Sequence, residues 1–304
     1  MNDLILHHFD ASPFAEKIRI ILGIKNATWQ SVQIPMIMPK PDLTELTGGY
    51  RKTPTLQRGA DIYCDTWLIS DKLEDWLPQP SLFAPGERGR ALALSRWSDK
   101  SFFEPGAALS MGENPAVPDV VIEDRKAFFN FMDFNKLDES LPESRRQFQA
   151  HLSLLDGDLT ESGEFLSGAA PGYHDVLAWF VVWMAFGNIP SVSALMAPFS
   201  NVQSWAQRMG DIGNGKAVAV DSADAIAVAK AATPIDAPGV GDNPLGLTLG
   251  QSVAVFADDY GQDRICGELV GLTAKQISVR RHAERAGELH IHFPAIGYHV
   301  SPDD

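Results

Sequence analysis

"GGYRKTPTLQRGADIYCDTWLISDKLE", residues 48–74, is the stretch on which the reading of this chain turns. Within it "TPTLQ" and "ADIYC" are short β-type runs, and "QRGA" between them suits the turn of a hairpin. Pro54 follows Thr53 and opens the first of these strands. Asp65 and Thr66 stand ahead of "WLISDKLEDWL", where the apolar spacing changes from a strand period to a helical one. An acidic or hydroxyl side chain at that point is a favoured helix cap.

Working outward toward the N-terminus, "LILHHF" reads as a strand, "DASPFAEKIRIIL" (10–22) as a cap and helix, and "SVQIP" as another strand. Ser12 is a favoured N-cap, and Pro13 fits the first helical position, where a missing N–H is no loss. Phe14, Ile18 and Ile21 share one helical face, so the helix is expected to pack on the sheet. Its N-terminus then carries roughly half a positive charge and free N–H donors, which favour an anion such as a thiolate. Periodicity alone leaves Ser12 as a cap. The alternation of strand and helix predicts an α/β domain over residues 1–80.

Composition limits what such a domain serves. The chain has 304 residues, of which 45% are hydrophobic and 21% charged, the make-up of a globular protein with a sizeable core. Lys and Arg number 25 against 39 Asp and Glu, a net charge of −14, so nucleic acid and anionic membrane surfaces are not expected partners. The N-terminal residues lack the pattern of a signal peptide, and a cytoplasmic location is expected. "VLAWFVVWMAF" (176–186) is half of the ~20 residues that span a bilayer and reads as a buried helix. Cys64 and Cys266 are the only cysteines, too few for a disulfide framework or a CxxC site. Cys64 ends an apolar strand and is expected in the core.

The combined pattern resembles the glutathione transferase superfamily. The "SPFAEKIR" helix is similar to the active-site helix of the zeta and omega classes. "KTP" is similar to the family's Val-Pro or Thr-Pro element, and "DT" stands where these proteins carry Glu-Ser or Asp-Ser. The resemblance implies a thioredoxin-like fold for 1–80 and a site for glutathione as co-substrate. It implies that Ser12 activates the glutathione sulfur and that Thr53, before a cis Pro54, pairs its backbone with the cysteinyl part. Lys52 would hold the glycyl carboxylate, and Asp65 with Thr66 the γ-glutamyl group. A hydroxyl cannot form the mixed disulfide that cysteine-type members form. It can donate to the thiolate of glutathione, which then attacks an electrophilic carbon.

Residues 77–89, "LPQPSLFAPGERG", break both periodicities and read as a linker. An all-helical domain is expected over 90–232, as in the second domain of the superfamily. "LSGAAPGYHDVLAW" looks like that domain's capping box and buried helix, with Gly172 where Ser or Thr is usual and Asp175 in a structural role. The family resemblance places the co-substrate pocket beside its first helices, where Trp97, Phe102, Phe103 and Met111 are the candidates, though core packing serves them equally.

After "ATPIDAPGVGDNP" (232–244) the character changes again. "QSVAVFA", "RICGELVGL", "QISVRR" and "ELHIHF" predict a small all-β, barrel-like domain over 243–304, outside the family resemblance. Its five basic residues against eight acidic ones from Asp258 onward do not suit a nucleic-acid barrel. It is expected to support a homodimer or to cover the active-site mouth. His290 and His292 lie on one strand face, with Leu289, Ile291 and Phe293 on the other. With His282 or His299 they form a conceivable metal set, but no closed set is visible; the histidine face is expected to be the wet face of a half-buried strand, and no metal is expected.

The function expected is a glutathione-dependent transferase acting on a small electrophilic molecule by conjugation, substitution or cis–trans isomerisation. Dehalogenation and ether cleavage are variants of the same chemistry. The alternative is a non-catalytic glutathione-fold binding or assembly protein. A thiol-disulfide reductase is disfavoured by serine at position 12.

Overall fold

A computed structural model describes residues 3–303. In chain order it gives β1 (Ile5–His8), α1 (Pro13–Ile24), β2 (Thr28–Gln33), α2 (Pro41–Thr47), β3 (Thr55–Arg58), β4 (Asp61–Cys64) and α3 (Thr66–Trp76). A helical stretch follows: α4 (Arg88–Arg96), a π-helical turn over Trp97–Phe102, α5 (Phe103–Glu113), α6 (Asp119–Phe128), a 3-10 turn over Phe134–Lys136, α7 (Leu137–Ser162), α8 (Tyr173–Asn188), α9 (Val192–Met196) and α10 (Ser200–Ile212). The chain then gives β5 (Lys216–Ala219), α11 (Ser222–Ala231), β6 (Gly239–Val240), β7 (Ser252–Ala257), β8 (Ile265–Leu272), β9 (Gln276–Ala283), β10 (Gly287–Pro294) and β11 (Tyr298–Pro302). These elements form two compact units.

One unit comprises the chain up to Asp10, Thr28–Lys72 and everything from Lys216 onward. Among the described residues all the strands belong to it, in one sheet of order β11-β7-β8-β9-β10-β4-β3-β1-β2-β5, with β6 beside β8. β1 and β2 are parallel, and β3 runs antiparallel to both β1 and β4, the thioredoxin-like arrangement that the family resemblance implies. The C-terminal region is β-rich as expected. Its last strand returns to its first, β11 pairing antiparallel with β7.

What the sequence did not disclose is where that region attaches. β10 pairs in parallel with β4, His290 opposite Asp61 and Ile291 opposite Ile62, so the C-terminal strands extend the N-terminal sheet. Alternation within a strand fixes which face is apolar but says nothing about the neighbouring strand. One apolar cluster serves both parts: Tyr50, Ile62 and Cys64 pack with Val255, Ile265, Leu269, Val279, Leu289, Ile291 and Phe293. A strand region of this size, near the limit for folding unaided, gains its core by sharing one.

The histidine face of β10 is a correction. His290 and His292 are 6% and 0% exposed, not the wet side of a half-buried strand. His292 lies 3.0 Å from Asp61 through Nε2 and 2.9 Å from the Ser278 hydroxyl through Nδ1, and it stacks on Tyr63 at 4.6 Å. Asp61 also accepts the N–H groups of Ile235 and Asp236 at 2.9 and 3.1 Å, so this buried carboxylate is fully employed. Burial holds the His292 imidazole below its usual pKa, partly offset by Asp61. A neutral ring can donate from Nε2 to the carboxylate and accept from Ser278 at Nδ1.

The helical run predicted to residue 232 is interrupted by β5, which pairs with β2 at the far edge of the sheet. Gly213 caps the preceding helix and Gly215 directly precedes β5, with φ of +67° and +69°. A Cβ at Gly215 would stand 2.6 Å from the Ala27 carbonyl oxygen, so only glycine fits there.

The other unit comprises Ala11–Ala27 and Leu73–Gly215. Its centre is α8, the buried helix expected from its apolar run. Among the described residues no helix is long and apolar enough to cross a membrane. Asp175, the third residue of α8, is 0% exposed. Its carboxylate accepts the N–H groups of Leu166, Ser167 and Gly172 and the Trp205 indole at 2.7–3.1 Å. Only the reciprocal half of a capping box is possible, because Gly172 has no side chain to return the bond. Its identity has a steric reason: a Cβ there would stand 2.6 Å from the Ser167 hydroxyl.

Candidate functional site

Ser12 sits at the N-terminus of α1, 3% exposed, and its Oγ accepts the N–H of Ala15 at 3.1 Å. The cap expected from the sequence is therefore present. Because the oxygen accepts in this bond, the hydroxyl proton is left for donation elsewhere. The next turn is anchored by charge. Glu16 accepts the Trp179 indole at 2.9 Å and Arg19 Nε at 3.0 Å. Lys17, 0% exposed, pairs with Asp99 at 2.6 Å, inside the π-helical turn. A buried ammonium needs such a partner, and the pair fixes the helix end that carries Ser12.

In the sheet unit, the Thr53–Pro54 peptide is cis, as the resemblance implies, and leads directly into β3. The Thr53 hydroxyl accepts from Lys40 Nζ at 3.1 Å, and the same ammonium reaches the Arg51 carbonyl at 3.3 Å. Lys40, 4% exposed, thereby braces the turn before Pro54, a role sequence reasoning did not assign. Asp65 follows β4 with φ of +74°, a left-handed conformation that Asp tolerates better than most residues. Its Oδ1 accepts the Trp67 N–H at 2.8 Å and so caps α3. Thr66, 7% exposed, is the first residue of that helix.

The second oxygen of Asp65 meets the C-terminal β region: Tyr298 Oη donates to Oδ2 at 3.3 Å. Lys52 meets the same region. Its Nζ lies 2.5 Å from Asp259 Oδ1, 4.6 Å from the ring centre of Tyr260 and 5.9 Å from that of Tyr298. Asp259 and Tyr260 belong to the loop between β7 and β8, and Tyr298 opens β11. Burial raises the Asp259 carboxyl above its ordinary pKa; Lys52 opposes the shift, while Asp65 and Asp258 add to it. None of these contacts had a signal in the sequence, since they join residues more than 200 positions apart.

Residues 6–81 match the family model described as glutathione S-transferase, N-terminal domain. A GST-like protein from Pseudomonas syringae is 34% identical, with a TM-score of 0.82 over 100% of both chains. The chain belongs to the glutathione S-transferase-like proteins.

Two further likenesses are partial. FtsZ-localized protein A of Caulobacter vibrioides is 30% identical over 104 residues, 32% of this chain and 45% of that relative. The chain thus matches less than half the length of that curated relative. A rice glutathione S-transferase solved in complex with glutathione shares the fold, at 20% identity and a TM-score of 0.51 over 69% of this chain and 89% of that one.

Within this glutathione S-transferase-like chain, the aromatic candidates of the helical unit have different surroundings. Phe102 and Phe103 are 0% and 3% exposed and belong to its core. Phe103 packs edge-on against Phe14 at 4.8 Å and stacks on Phe180 at 6.2 Å. Trp97 and Met111 are half-buried, and the Trp97 indole donates to His151 Nδ1 at 3.2 Å. Cys64 is 0% exposed in the sheet core, where burial pushes its thiol pKa up, the reverse of what a reactive thiol needs.

Proposed function

We propose that this glutathione S-transferase-like chain binds glutathione and activates its thiol for attack on a small electrophilic molecule. The match of residues 6–81 to the transferase N-terminal domain carries the reading, because that span contains every residue assigned to glutathione. The backbone of Thr53 pairs with the cysteinyl part. Asp65 takes the ammonium of the γ-glutamyl end, and Thr66, with the N-terminus of α3, takes its carboxylate. Lys52 faces the glycyl end. Ser12 donates its remaining proton to the sulfur and stabilises the thiolate.

The thiolate supplies the electron pair for a new carbon–sulfur bond. In substitution the leaving group departs with its bonding electrons; in addition the neighbouring carbon takes a proton. In isomerisation the adduct collapses again and glutathione is recovered. The chain supplies no thiol of its own at this position.

The test is titration with glutathione together with turnover of a generic activated aryl halide. Binding with turnover, the latter lost in Ser12→Ala while binding persists, supports the reading. Failure of both overturns it. A second reading, a non-catalytic glutathione-fold binding or assembly protein, is favoured by the Lys52–Asp259 pair and by the likeness to FtsZ-localized protein A. Glutathione binding without turnover of any electrophile would select that reading.

A further inference from the structure

The C-terminal β region reaches two of the residues assigned to glutathione. Tyr298 bonds Asp65, and Asp259 pairs with Lys52. The loop that brings Asp259 is itself tied down: Asp258 N–H donates to the Gly297 carbonyl at 3.0 Å, and Gln262 Nε2 donates to the Asp259 carbonyl at 2.9 Å. Lys52 keeps a side-chain exposure of only 12%, so its ammonium is enclosed by Asp259 and the rings of Tyr260 and Tyr298.

A glycyl carboxylate arriving at Lys52 meets an ammonium whose charge is already balanced. Two carboxylates on one ammonium leave a net negative charge, and Asp65 adds another nearby. The incoming group must displace Asp259 or bind beside it against repulsion. A ligand whose C-terminal end is an ester or an amide brings no such charge. The difference is moderate, because Asp259 is 46% exposed and solvent screens the repulsion.

We propose that the loop between β7 and β8 is a carboxylate latch on the glutathione site. Asp259 holds Lys52 and selects γ-glutamyl thiols with an uncharged C-terminal end over glutathione itself. The latch rests on the assignment of Lys52 and Asp65 to the glutathione site.

The experiment is calorimetric titration of the full chain with glutathione and with its glycyl ethyl ester. The proteins compared are the wild type, Asp259→Asn, Lys52→Met and the double variant. In the wild type the ester binds at least as tightly as glutathione. Asp259→Asn raises glutathione affinity about fivefold and leaves the ester within about twofold. Lys52→Met lowers glutathione affinity by a larger factor in the Asp259→Asn background than in the wild type, the coupling expected of a shared partner. Glutathione affinity that is unchanged or lower in Asp259→Asn, with the ligand still binding, overturns the latch and leaves the glutathione site standing. Equal effects of Lys52→Met in both backgrounds also overturn it. Absence of binding of both ligands to all four proteins overturns the glutathione assignment and the latch with it.

Discussion

The hydroxyl groups of Tyr50 and Tyr298, 248 residues apart in the chain, lie 2.9 Å from each other in the sheet core. Tyr298 donates onward to Asp65, so Tyr50 is the donor in the pair. Burial pushes both phenols above their ordinary pKa, which keeps both protons in place at neutral pH. The chain of hydrogen bonds therefore runs Tyr50 to Tyr298 to Asp65. It links α2's following loop, β11 and the start of α3.

Tyr298→Phe removes the acceptor of a buried Tyr50 hydroxyl and a donor to Asp65. It is expected to destabilise the protein by about 1–3 kcal/mol, the cost of an orphaned buried polar group. Adding Tyr50→Phe removes the orphan and should recover part of the loss. Urea midpoints of the two single variants and the double variant check this; additive losses would contradict the chain of donors.

The stability of the sheet unit should depend on pH through its buried histidines. His7 is 1% exposed and lies 2.8 Å from Gln57, and burial lowers its pKa from 6.5 to about 4 despite that bond. His292 is shifted in the same direction by the same cause. As pH falls below the unfolded value, the unfolded chain takes up a proton that the native ring refuses, so stability is lost. For His7 the full loss, reached below its folded pKa, is about 3 kcal/mol. Urea unfolding followed from about pH 7 to about pH 5 should show a falling midpoint, with a shallower slope in His7→Gln. An identical slope in that variant would contradict the assignment.

Gly172→Ser restores the hydroxyl usual at this cap but not its benefit. The new Cβ stands 2.6 Å from the Ser167 hydroxyl and 2.9 Å from its Cβ, so the clash should outweigh the cap and destabilise by about 1–2 kcal/mol. In a Ser167→Gly background the same change should cost less. Thermal unfolding of the helical unit reports the difference, and a stabilised Gly172→Ser single variant would contradict it.

The legible parts of this fold are those set by local chemistry. Ser12 before Pro13 announces its cap, Asp65 before Thr66 announces α3, and Asp175 announces the buried helix, because each satisfies backbone donors within a few residues. The hidden parts are pairings between distant segments. β10 beside β4 turned His290 and His292 from an expected wet face into a buried one, and nothing in "ELHIHF" distinguishes the two cases. The pairing of Lys52 with Asp259 was equally silent, since each residue by itself reads as an ordinary surface charge. β5 was missed because "KAVA" is too short and too helix-tolerant to stand out between two helices.

The central claim is that Ser12 stabilises a bound thiolate rather than serving as a cap alone. The most direct measurement is the ultraviolet thiolate absorbance of bound glutathione, followed against pH in the wild type and in Ser12→Ala. The account predicts a titration midpoint below that of free glutathione in the wild type and a return toward the free value in Ser12→Ala. Coincident midpoints in the two proteins, with glutathione bound in both, would contradict it.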